Sequence, residues 1–136
     1  MIDQYHLIVR GYELDSYNHL NNAVYINHFE QARWEFFHNH QILEKLLSEN
    51  LILVVTETNI RYIREVKMFA RLKIETKLIL KEPYLMFSQH TINEDSDLLV
   101  AKANFKTLFL DQTDRSPRDV PKFLYPFISN ITNENA

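Results

Sequence analysis

From Ala23 to about His38 the chain contains neither Pro nor Gly, and its large apolar side chains recur at helical spacing. At about 100° per residue, Ala23, Tyr25, Ile26, Phe29, Trp34, Phe36 and Phe37 share one broad face, with Val24, His28, Gln31 and Glu35 opposite. A helix apolar over that much of its circumference needs a surface that wraps around it, and the remainder of the chain is rich in strand patterns. Residues 71–81 alternate plainly: Leu72, Ile74, Thr76, Leu78 and Leu80 on one face, Arg71, Lys73, Glu75, Lys77 and Lys81 on the other. Half of that sheet surface must meet water.

Residues 84–93 read as another strand, 94–97 (Glu-Asp-Ser-Asp) as a polar hairpin connection, and 98–110 as a last strand burying Leu99, Ala101, Ala103, Phe105 and Phe109. Ahead of the helix, residues 5–12 read as a first strand with Leu7 and Val9 against His6, Ile8 and Arg10. Residues 41–49 suggest a shorter second helix, and 51–57 with 58–64 a long β-rich stretch. The order is strand, long helix, then four or so antiparallel strands, which predicts an α+β fold with a sheet wrapped around one helix. Strand order within the sheet does not follow from periodicity.

With 136 residues, 46% of them hydrophobic and 12% aromatic, residues 1–136 fit a single domain with one core. The tail from about residue 116 carries Pro117, Pro121 and Pro126 and is expected to be irregular, with its Asn-rich end loose. A net charge of -3 offers no global basic field, so neither nucleic acid nor an anionic membrane is an expected partner. The absence of Cys removes thiol nucleophiles, disulfides and cysteine zinc sites together. The first residues lack a charged leader and an apolar core, and no apolar run nears the roughly 20 residues that span a bilayer, so a cytoplasmic location without a membrane span is expected. Gly11 is the only glycine, which excludes glycine-rich phosphate loops and leaves left-handed turn positions mostly to Asn and Asp.

The chemistry is concentrated in Asp15-Ser16-Tyr17-Asn18-His19-Leu20-Asn21-Asn22, an acid, an imidazole and amides placed just before the long helix. Asn21 or Asn22 suits the N-cap. The first helical N–H groups have no internal acceptor, so a carboxylate here lies beside a positive helix end that can polarise an ester or thioester carbonyl. Taken alone, Asp15 could merely close a turn with Asn18 and His19 fill a loop position. Glu30 and Arg33 fall within the apolar face at a spacing that suits a mutual ion pair. The six His residues do not place three on one helical face, and His38-Asn39-His40 lacks the partners of a metal nuclease. Arg61, Arg64, Lys67 and Arg71 form a basic cluster suited to phosphates, a pattern that solvated strand ends also show.

The pattern Asp15-x-x-x-His19-x-Asn21-Asn22-x-x-Tyr25, followed by Phe29-Glu30-Gln31-Ala32-Arg33, resembles the hotdog-fold thioesterases, specifically the 4-hydroxybenzoyl-CoA thioesterase-like acyl-CoA thioesterases. The resemblance extends through Arg61-Tyr62-Ile63-Arg64 and the strands to Leu108-Phe109-Leu110, nearly the whole chain. It implies a hotdog fold, an acyl-CoA thioesterase activity, and a homodimer or dimer of dimers with the sites at the interface. By residue, it implies Asp15 as nucleophile or general base, assisted by His19, and an oxyanion-binding backbone N–H near Asn22. Asn21, Tyr25, Arg61 and Arg64 become the substrate-binding candidates. No metal or redox cofactor is implied, coenzyme A entering as part of the substrate. Acyl-carrier-protein thioesterases share the loop signature, and a catalytically silent acyl-binding hotdog protein shares the scaffold. A hotdog dehydratase would need a His in a Pro- and Gly-rich loop, which this chain lacks. Three positions depart from the family: Asn18 stands where Gly is usual, Glu65 where Pro is common, and Tyr17 where the plant acyl-carrier enzymes carry Asn. In another hotdog branch the acid lies on the long helix, where Glu30 would be its counterpart.

Overall fold

In the computed structural model, which describes residues 1–129, the long helix α1 (Asn22–Asn39) lies across an antiparallel sheet. The sheet comprises β1 (Asp3–Ile8), β2 (Leu51–Tyr62), β3 (Arg71–Lys81), β4 (Tyr84–Asn93) and β5 (Leu98–Asp111), in the order β1-β3-β4-β5-β2, with the short β6 (Pro117–Arg118) against the end of β5. A second helix, α2 (Ile42–Ser48), leads from α1 into β2. The alternation read for residues 71–81 is the observed one: Leu72, Ile74, Thr76, Leu78 and Leu80 are buried. They meet Phe29, Ala32 and Phe36 of α1 in one core with Phe87, Phe105 and Phe109. The Phe29 and Phe105 rings lie 5.7 Å apart and those of Phe37 and Phe87 5.8 Å, inside the range of favourable aromatic pairs.

Four expectations need correction. The first strand ends at Ile8 rather than Tyr12, because the Val9 N–H and C=O leave β3 for the loop before it, bonding Ala70 and Phe69. A 3-10 turn over Gly11–Glu13 follows, its start held by the Glu13 carboxylate on the Arg10 N–H. The buried stripe of α1 is narrower than its apolar residues suggest: Ile26 and Trp34 are 43% and 49% exposed and Ala23 is also exposed, whereas His28, assigned to the polar face, is buried. The sheet covers only one side of the helix, and His28 can be buried because Glu13 bonds it. Leu99 is only half-buried and Val100 takes its inward place, since the β4–β5 register shifts between Thr91 and Ile92.

The fourth correction is the tail. Val120, Leu124 and Ile128 recur every fourth residue and are buried, the last two carried by a 3-10 helix (Lys122–Phe127) and a parallel bridge from Ile128 to Leu78 of β3. Three prolines mask that apolar spacing without preventing it. The Asn-rich end, residues 130–136, lies outside the described residues. Left-handed backbone does fall to Asn18, Asn50 and Asp97, but also to Gln41, Phe69 and Arg115.

Candidate active site

Local bonding within the loop before α1 dictates where its carboxylate sits. The bridge between Leu14 and Leu20 closes the loop at its neck, and Asp15 N–H donates to the His19 carbonyl at 2.8 Å. Asn18 adopts φ 62°, the left-handed turn position that Asn fills better than most residues in place of Gly. Asp15 Oδ1 then accepts the N–H groups of Tyr17 (2.9 Å) and His19 (3.2 Å). Oδ2 receives no hydrogen bond from the described residues, so one oxygen is tethered and the other is available.

The helix begins directly beyond this loop. Asn21 is its N-cap, its Oδ1 accepting the Ala23 N–H at 2.9 Å, and its own N–H is held by the Glu13 carbonyl. The Asn22 N–H donates to none of the described residues, as expected for a first helical amide. Glu13 binds the loop to α1 a second time: its Oε2 lies 2.7 Å from His28 Nε2, with both side chains nearly buried. Burial opposes ionisation of Glu13, but the Arg10 N–H and His28 outweigh it and hold its pKa below the usual carboxylate range. His28 Nδ1 is buried without a partner among the described residues.

Asp15, His19, Asn22, Tyr25 and Arg64 line one polar cavity of about 230 Å³, with Tyr62 and Glu65 among its remaining walls. Five of the residues singled out from sequence therefore come together. Asn21 and Arg61 do not line it: Asn21 is spent on the cap, and Arg61 is exposed on β2. The His19 imidazole faces Glu65, Nε2 to Oε2 at 3.1 Å, and His19 bonds Asp15 only through its backbone N–H and C=O. Arg64 donates to the Leu99 carbonyl, and Arg71 is taken by Asp95, so the four basic residues do not act as one cluster. Tyr62, missed from sequence, donates its hydroxyl to the Asn22 carbonyl at 3.2 Å and packs edge-on to Tyr25 at 5.1 Å. Burial, aided by Tyr62, pushes the Tyr25 hydroxyl up to about 12. The position of Tyr62 at the end of a β-rich stretch was the signal available for it.

A second, larger cavity of about 480 Å³ opens between α1, α2 and the start of β2, its walls including Trp34, Phe37, Leu46 and Leu53. Glu30 and Arg33 line it, but they do not form the expected ion pair: no contact within 4.0 Å joins them, and Glu30 is exposed. The Arg33 guanidinium instead stacks over Phe105, 4.1 Å from the ring centre, and donates to Gln89 Oε1 at 3.1 Å. Among the described residues no cluster of His, Asp or Glu could hold a metal, and no helix is long and apolar enough to cross a membrane.

The profile of the thioesterase-like superfamily matches residues 9–128. The chain belongs to that superfamily. It is similar to the long-chain acyl-CoA thioesterase FadM of Escherichia coli (strain K12), 39% identical over 70 residues, or 52% of this chain and 53% of that protein. The chain thus spans about half the length of the curated relative it matches. The probable thioesterase YbaW of Escherichia coli superposes with a TM-score of 0.83 at 30% identity, covering 90% of this chain and 93% of that one. The 1,4-dihydroxy-2-naphthoyl-CoA thioesterase of Synechocystis reaches 0.84 at 13% identity, over 94% of this chain and 96% of that one, a likeness of fold alone. The fold is the α+β hotdog fold that the loop signature implied. The superfamily match runs to Ile128, so the segment that docks against β3 belongs to the thioesterase-like domain itself.

Proposed function

We propose that the protein hydrolyses acyl-CoA thioesters to the free acid and coenzyme A. The observation that carries this is the pairing, in one cavity, of a half-tethered carboxylate on Asp15 with the open helix start at Asn22. A thioester carbon placed between them meets Asp15 Oδ2, or a water that Asp15 deprotonates, on one side. Its oxygen meets the Asn22 N–H, which stabilises the oxyanion as the tetrahedral intermediate forms. Collapse breaks the C–S bond, the thiolate leaves and takes up a proton, and in the nucleophile variant water then cleaves the Asp15 anhydride. His19, bonded to Glu65, acts on this site by holding the loop and its Asp15 bond. Tyr25 and Tyr62 close the cavity wall, and Arg64 is the nearest cation for phosphate or pantetheine oxygens.

The larger apolar cavity takes the acyl chain. FadM, named for long-chain acyl-CoA, supports coenzyme A over a carrier protein and a long chain over a short one. Among the described residues the outer edge of β2 has no neighbour in the sheet, and a free edge of 12 residues is a template for pairing with a second copy. A two-fold dimer would align the two β2 edges antiparallel. Because the polar cavity includes Tyr62 at one end of β2 and the apolar cavity Leu51 to Val55 at the other, each polar cavity would then adjoin the partner's apolar one. Thiol release is the test: incubating the purified protein with acyl-CoAs of increasing chain length should liberate free thiol, fastest with long chains. No release from any chain length would remove the hydrolytic reading, and a monomer in sedimentation would remove the shared site.

A further inference from the structure

Hydrolysis of a plain hydrocarbon chain gives no reason for a guanidinium in the wall of the apolar cavity. Arg33 sits there on a platform of rings, over Phe105 at 4.1 Å and beside Phe87 at 5.7 Å. Its one hydrogen-bond partner among the described residues is Gln89, and it makes no salt bridge with any of them. Gln89 is fully buried, and its amide nitrogen is committed to the Phe29 carbonyl and to Thr76 Oγ1, both at 3.0 Å. That commitment turns the Gln89 oxygen toward Arg33 and fixes the guanidinium in place. Of the five N–H donors that a guanidinium carries, most find no acceptor among the described residues, in a side chain that lines the cavity. Burial pushes Arg33 down to about 10, with Glu30 opposing, so it remains cationic at neutral pH. A cation held this way costs desolvation that a Met or Leu of similar length would avoid.

We infer that Arg33 reads an oxygen on the acyl chain, so that the preferred substrates are acyl thioesters bearing a hydroxyl or oxo group beyond the thioester. This rests on the acyl-CoA reading above and names its substrate class. Glu30 lines the same cavity with a negative charge, which disfavours a chain ending in carboxylate. A neutral oxygen satisfies the waiting donors of Arg33 without meeting that repulsion, and a chain lacking it leaves them buried and unpaired.

The test compares kcat/KM for stearoyl-CoA with that for a set of hydroxy- and oxo-octadecanoyl-CoAs that differ in the position of the oxygen, in the wild type and in Arg33→Met. Calorimetric binding of the corresponding free acids is measured in parallel. At least one oxygenated chain should be preferred over stearoyl-CoA by about 10- to 100-fold, and Arg33→Met should collapse that ratio toward one. A wild type indifferent to the oxygen in both turnover and binding overturns the inference whether or not the variant folds. A variant that lowers both substrates by the same factor also overturns it, since that is what a purely structural stacking role predicts. If no thiol is released but the wild type prefers oxygenated acids and Arg33→Met loses that preference, the Arg33 inference stands and the hydrolytic reading falls. Octadecanedioyl-CoA is assayed alongside, and its preference over the hydroxyl and oxo chains would overturn the neutral-oxygen assignment.

Discussion

The two cavities of this molecule are built in opposite ways. The polar one draws most of its chemistry from a single loop, residues 15–22, closed by its own backbone bonds and capped onto α1. The apolar one is assembled from five elements: α1, α2 and β2 supply side chains between residues 30 and 55, and Phe87 of β4 and Thr107 of β5 close it from across the sheet. Reactive groups can be concentrated in one short segment because a turn and a helix end already supply the geometry. Selectivity must be spread over the fold, because a cavity's depth is set by whichever side chains happen to face it.

The contrast can be broken most sharply at Asp15. Asp15→Asn keeps an oxygen for the Tyr17 and His19 N–H groups but removes the charge, and thiol release should fall about 1000-fold, or about 4 kcal/mol of barrier. Unchanged circular dichroism alongside that loss would place the effect on chemistry. A smaller effect is expected at the other cavity: Leu53→Trp fills part of it, and kcat/KM for a long chain should drop about 10- to 100-fold relative to a short one. Equal loss for both lengths would mean that the chain does not lie there. Asn21→Ala removes the helix cap and should lower stability by about 1 kcal/mol in denaturant titration.

The smallest effect concerns the Glu13–His28 tie between loop and helix. The folded pKa of Glu13 lies below its unfolded value, so its contribution to stability is present above the unfolded pKa and is lost as pH falls through the folded one. Stability curves of the wild type should therefore decline below about pH 4.5 more steeply than those of Glu13→Gln, compared by urea midpoints.

What was legible in the chain follows the same division. The helix cap and the inward face of β3 are properties of neighbours in sequence: the cap falls on Asn21, one of the two asparagines read for it, and β3 buries the face read for it. The bond from His19 to Glu65, the place of Tyr62 and the anchoring of Arg33 by Gln89 join residues 40 or more apart in the chain, and periodicity holds no record of such pairs. Local charge spacing even misled: Glu30 and Arg33 are correctly spaced to pair, but ring faces and an amide oxygen across the core compete better for the guanidinium. His28 on the supposed polar face and the apolar spacing hidden among the tail prolines were missed for the same reason, since their partners lie elsewhere.

One irregularity ties the two cavities together. The pairing of β2 with β5 slips by one residue between Val55 and Glu57, so that Leu53 and Val55 lie opposite the inward Phe109 and Thr107, whereas beyond it Thr58, Ile60 and Tyr62 lie opposite the inward Phe105, Ala103 and Ala101. The strand thus changes phase at Thr56, from odd-numbered residues pointing at the helix to even-numbered ones. Were Thr56 instead paired with Lys106, the odd phase would continue in an unbroken ladder, and the position opposite Ala101 that now delivers a phenol to the start of α1 would be filled by the guanidinium of Arg61. Whether one residue of an edge strand bulges or pairs thus decides whether an uncharged hydroxyl or a full positive charge stands across from Asp15.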